Sequence, residues 1–250
     1  MKIIDRIKAD YAKVKDQPPK ERLGFFWDYY KIPILCIILV VVLVVQGIAS
    51  VVNHQETVFS AVLLNCKIGI KEDALLDGFY DYAGIDSKTQ TAAFYSDMVL
   101  AEGNNQVNTN TIQRIMAGIA VQDTDFIAGT PYAFQMCAYH SGRILKDLRD
   151  FWDEDTLKRF SGRIYYVDNA IIDQINSPVG EQVEPSILAY PKNPKDPTAM
   201  KDPIPVGIDI SDRTAFQNTY YLPDTEVYMG VVANTLRPDL TAKFIDYLFA

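Results

Sequence analysis

The chain has 250 residues, a formal net charge of −8 and only three cysteines. So few cysteines exclude a disulfide scaffold, and the acidic balance argues against a nucleic-acid partner, whose phosphates would be repelled. The charge is unevenly divided: residues 1–31 carry eight Lys or Arg against five acids, whereas residues 53–250 carry 16 against 27.

Taken in chain order, residues 1–31 form a basic arm. Ile3, Ile4, Ile7, Tyr11 and Val14 fall on one helical stripe, which predicts an amphipathic helix lying on a membrane surface or docking to a membrane protein partner. Pro18-Pro19 ends it. Ile32–Val52 then runs 21 residues without a charge. At about 1.5 Å per residue such a helix crosses a hydrocarbon core of roughly 30 Å, so a transmembrane helix is expected over 32–52. The basic flank places the N-terminus in the cytoplasm and residues 53–250 outside the cell, a single-pass cell-membrane protein. Phe25, Phe26, Trp27, Tyr29 and Tyr30 read as an aromatic anchor at the interface. A cleaved signal peptide competes, since Gly47-Ile48-Ala49 offers small residues for cleavage after Ala49. Cys36 follows Leu35, not the small residue a lipidated cysteine needs, and reads as an apolar side chain.

The body, 53–250, is long enough for one domain with a sizeable core or two small lobes. Thr57–Asn65 reads as a buried strand, Glu72–Ala83 as a helix stopped by Gly84, and Thr91–Tyr95 as a strand. Gly103–Asn110 reads as a loop whose Thr109 or Asn110 caps the helix through Ile112, Ile115, Met116 and Ile119. Asp125–Ala128 reads as a short strand. Thr130 caps the next helix, which has Pro131 in its first turn and ends near Gly142. Alternation of this kind predicts parallel strands in an α/β sheet. Further on, Arg163–Val167 reads as a strand, Asp168–Ile175 as helix or strand, and the proline-rich 185–205 as a loop or sheet edge. Val206–Ile210 and Glu226–Ala233 read as strands. Asp239–Phe249 reads as a helix burying Leu240, Phe244, Ile245 and Leu248.

Two stretches carry a resemblance. One runs from the helix through Ile119 and Asp123-Thr-Asp-Phe-Ile-Ala-Gly-Thr to Leu145-Lys-Asp-Leu; the other is Gly230-Val-Val-Ala-Asn-Thr-Leu-Arg-Pro-Asp-Leu-Thr-Ala-Lys-Phe-Ile-Asp-Tyr-Leu. Together they resemble extracellular solute-binding proteins of the type 2 periplasmic-binding fold. The arm, through Trp27-Asp28-Tyr29-Tyr30-Lys31, is similar to that of uncharacterised membrane-anchored proteins of Gram-positive gut bacteria. The resemblance implies a small two-lobed, doubly wound domain that binds a small molecule or peptide. The body is short for that family, so the second lobe must be small.

In a doubly wound sheet, ligands sit beyond the carboxyl ends of strands where the strand order reverses. For an order 2-1-3, Asn65, Gly129, Thr130 and Tyr132 face one crevice. Helix capping by Thr130 and strand termination by Asn65 explain the same residues without a ligand. Asp209 and Ser211 end a later strand and form a second ligand-binding candidate, against a plain capping role. Asp147, Asp150, Asp153, Glu154 and Asp155 lack calcium-loop spacing and read as a solvated helix start. No metal site, cofactor, Ser-His-Asp set or phosphate-cradling loop is recognisable. Cys66 and Cys137 stay open as a single bridge. The sequence therefore predicts a non-enzymatic membrane-tethered binding protein. A structural or assembly domain that contacts a protein partner, or a surface hydrolase, is the alternative.

Overall fold

The computed structural model describes residues 3–16, 18–52, 55–67, 76, 78–177, 188–217 and 225–250. The chain divides into two compact units, 1–54 and 55–250. In the first, α1 (Ile3–Val14) and α2 (Pro19–Val52) meet at the expected proline boundary, with Pro19 opening the second helix. The expected transmembrane helix over Ile32–Val52 is corrected. These residues lie within α2, but among the described residues no helix is long and apolar enough to cross a membrane.

The second unit holds six strands: β1 (Glu56–Leu64), β2 (Gln90–Met98), β3 (Phe126–Gly129), β4 (Ile164–Asp168), β5 (Pro203–Asp209) and β6 (Tyr228–Val231). They form a single sheet in the order β2-β1-β3-β6-β5-β4. The first three pair parallel, as the alternating pattern predicted, and stand in the order 2-1-3. From there the sheet turns antiparallel at every step, β3 to β6, β6 to β5 and β5 to β4. The expected two lobes are corrected as well: the described strands share one mixed sheet in one compact unit. The second half returns its strands antiparallel to the same sheet.

Alternate residues of β1 point to opposite faces, and each face has its own core. Phe59, Ala61 and Leu63 join Phe79, Phe94, Phe126 and Phe244. Here α3 (Phe79–Ala83) and α9 (Pro238–Phe249) cover the sheet, and Phe126 stacks on Phe244 at 5.2 Å. Val62 and Leu64 face Ile115, Ile119, Phe134 and Tyr139. On that side lie α4 (Asn105–Ala120), α5 (Pro131–His140) and α7 (Asn169–Ile175). The short α6 (Glu154–Arg159), capped by Asp153, and α8 (Thr214–Gln217) complete the unit. Cys66 and Cys137 are both free and buried, and burial pushes their thiols up, to about 11 and about 12.

Several boundaries differ from expectation. Helix α4 starts at Asn105, because Asn104 accepts a hydrogen bond from the Val107 N–H and caps it. Much of the predicted helix over 72–83 lies outside the described residues. Its end is as expected, with Gly84 left-handed and its N–H bonded to the Tyr80 carbonyl. Strand β5 begins three residues early, at Pro203.

Two interactions fix the layers. Asp125, 0 % exposed, accepts from the Ser60 N–H at 2.8 Å, from the Thr235 hydroxyl, and from Arg237 at 3.0 Å. It ties the entry of α9 to β1 and β3. Burial pushes its carboxyl up, against the opposing pull of these three donors. On the other face the Phe134 ring lies over Gly207 and Gly230, where a Cβ would stand 2.6 Å and 3.0 Å from its tip.

Removing Arg237 leaves a buried carboxylate without its cation. Arg237→Ala is expected to cost about 3–5 kcal/mol in urea unfolding. Gly207→Ala forces Phe134 off its seat and is expected to cost about 1–3 kcal/mol in the same assay. A wild-type midpoint for either variant contradicts the role given to that residue.

Candidate functional site

All six sequence-derived site residues lie at one edge of the sheet, where β1, β3 and β5 end. The register explains it: Tyr228, at the start of β6, pairs with Gly129 on one side and Asp209 on the other. The two candidate groups therefore flank the same residue.

The first group does come together, but it bonds to itself. Asn65, left-handed at φ 60°, donates to the Leu100 carbonyl at 2.8 Å and to Thr130 Oγ1 at 3.1 Å, and accepts from the Leu100 N–H at 2.8 Å. Thr130 stands at the N-cap of α5 as expected, but its side chain makes no cap bond; its hydroxyl accepts from Asn65 instead. Tyr132 Oη accepts from the buried Asn108, which also holds both backbone groups of Ala101. A Cβ on Gly129 would stand 3.0 Å from Leu64 Cβ. The crevice is a closed hydrogen-bonded weld between the ends of β1, β2 and β3.

The second group belongs to a charged cluster. Asp209 accepts from the Ser211 N–H at 2.9 Å, from the Ser211 hydroxyl and from Lys195 Nζ. Ser211 Oγ in turn accepts from the Val227 N–H at 2.9 Å, a brace across strands and not a helix cap. Lys195 also donates to Glu226 at 3.2 Å, and the Tyr228 hydroxyl donates to the other Glu226 oxygen at 2.8 Å. The ammonium lies 5.6 Å from the Tyr228 ring centre, close enough for a cation–π contribution. Burial of Asp209 opposes its ionisation, but Lys195 and Ser211 outweigh it and hold the carboxyl below its ordinary value.

Beside this cluster opens a cavity of about 150 Å³, lined among others by Gln135, Tyr139, Tyr165, Tyr190, Glu226 and Tyr228. It lies between α5 and the proline-rich loop 188–195. Phe134 organises its floor: Tyr165 meets that ring edge-on at 4.9 Å, and Tyr228 packs on Tyr165 at 4.8 Å. Tyr190 meets Tyr139 edge-on at 5.1 Å, and its hydroxyl shares a 2.7 Å hydrogen bond with His140 Nε2. Burial lowers the His140 pKa, which favours a neutral ring there. The loop is pinned again where the Pro194 carbonyl accepts from the Tyr166 N–H at 2.8 Å. Tyr165 is only 4 % exposed, and its hydroxyl has no hydrogen-bond partner among the described residues. Tyrosine abundance was visible in the sequence, but nothing in the spacing of these four singled them out.

The described residues contain no group of three or more His, Cys, Asp or Glu able to hold a metal ion. Two other depressions exist. One lies over Leu157, Ile164, Tyr166, Pro203 and Pro205, the other over Val167, Ile172, Ile204 and Val206. Neither is lined by a buried polar group that lacks a partner.

The Asp209–Lys195 pair makes stability pH-dependent. The folded carboxyl titrates below its ordinary 3.8. Its contribution is therefore complete above the unfolded value and lost as the pH falls through the lower folded one. Between about pH 5 and pH 2 the wild type is expected to lose more urea stability than Asp209→Asn. Parallel losses would show that the pair carries none of the acid sensitivity. Comparison of the chain with protein-family models, with curated proteins and with solved structures finds no match.

Proposed function

We propose that residues 55–250 form a non-enzymatic binding domain whose ligand seat is the tyrosine-lined cavity between α5 and the loop 188–195. The observation that carries this reading is Tyr165, a buried phenol lining a cavity with its hydroxyl unsatisfied by the protein. That hydroxyl opens onto the cavity, where it can donate to and accept from a polar group of a ligand. The rings around it are held by edge-on contacts, so little ordering is needed on binding. The nearest carboxylates, Asp209 and Glu226, are both engaged by Lys195. This suits positioning better than proton transfer, which needs a group with a proton to give or accept.

A second reading, a structural or assembly domain that contacts a protein partner, is favoured by the Asn65 crevice. The sheet's natural ligand site is filled by Asn65, Thr130, Asn108 and Tyr132 bonding among themselves.

A panel of metabolites and short peptides tests the first reading on the full chain by thermal unfolding. At least one compound is expected to raise the melting temperature, since anything bound only to the folded state stabilises it. Tyr190→Ala, which removes a wall of the cavity, is expected to abolish the rise. A panel without any shift favours the assembly reading.

A further inference from the structure

We propose that the tyrosine-lined cavity seats a single neutral sugar ring, an inference that rests on the binding role given to this cavity above. Size comes first. The cavity of about 150 Å³ is small for a ligand pocket, which suits one ring and not an extended chain. Its surfaces are right for a ring with two kinds of face. Tyrosine rings offer flat apolar walls against C–H groups, and Pro131, Pro191 and Pro194 add apolar surface that donates no hydrogen bond.

Polar groups are set among these walls. The Tyr165 hydroxyl is unpartnered, and Gln135 brings an amide with both donors and an acceptor. A phenol and an amide each donate and accept, which is what a ligand carrying several hydroxyls requires. Charge argues the same way by being neutralised. Glu226 has one oxygen on Lys195 and the other on the Tyr228 hydroxyl. Lys195 in turn is shared between Asp209 and Glu226. Neither a cationic nor an anionic ligand finds a free counter-charge at the floor. Lys192 reaches the wall from an exposed position, where water and salt screen it.

The test uses the full chain, titrated calorimetrically with glucose, galactose and N-acetylglucosamine, and in parallel with a Gly-Pro dipeptide, spermidine and citrate. At least one sugar is expected to bind, and Tyr165→Phe to weaken it about tenfold. Without ligand, Tyr165→Phe is expected to melt no lower than wild type, because the lost hydroxyl has no protein partner. That separates a ligand contact from a structural one. Three outcomes overturn the proposal. If the dipeptide, spermidine or citrate binds in a Tyr165-dependent way and no sugar does, the ligand class is wrong and the site stands. If sugar binding ignores both Tyr165→Phe and Tyr190→Ala, the cavity is not the seat and both readings fall. If no sugar binds at up to about 100 mM, a range far weaker than the roughly 1 mM of a modest ligand, the sugar assignment fails.

Discussion

One phenyl ring holds the antiparallel half of this sheet in place. Phe134 projects from α5 into a notch where β5 and β6 both carry glycine, Gly207 and Gly230. Interiors this close-packed leave no slack, so the ring sets the height of α5 above the sheet. Tyr165 and Tyr228 pack directly on it. The position of the cavity thus follows from two missing side chains and the aromatic ring that replaces them.

The other face is held by a different device. There five phenylalanines from β1, α3, β2, β3 and α9 interlock, with Phe59 touching four of the others at 5.1–6.3 Å. Asp125 then stitches the start of α9 to that layer through Ser60, Thr235 and Arg237. The aromatic cluster supplies apolar burial, roughly proportional to area and indifferent to direction. The buried carboxylate supplies direction, because only one placement of the α9 entry satisfies its oxygens.

Elements driven by continuous apolar runs were legible in the sequence. β1, β3 and β6, buried on both faces, and α9, buried along one stripe, are bounded within a residue or two of expectation. Where polarity misled, the reason is local. The Asn-rich start of α4 reads as loop, yet Asn104 is its cap and the following asparagines are its first turns. Pro203 and Pro205 argue against a strand, yet β6 pairs only with Ile208 and Asp209 at the far end of β5. On that side the missing N–H groups have no ladder to break. The six candidate residues do gather where β1, β3 and β5 end, as the strand order implied. The cavity was not foreseen, because its four tyrosines come from α5, β4, the 188–195 loop and β6, and no spacing rule links residues so distant in sequence. The uncharged run before the body marked a helix correctly and a bilayer crossing incorrectly: among the described residues no helix is long and apolar enough for one.

The proline-rich segment that walls the cavity also shelters an exposed margin. β4 is the last strand of the sheet, and such a border strand invites pairing with strands of other molecules. Here the Tyr166 N–H is taken by the Pro194 carbonyl. The covering chain brings Pro191, Pro194 and Pro197, none with a hydrogen to offer a newcomer. A segment that walls a cavity on its inner side thereby denies a template for self-association on its outer side.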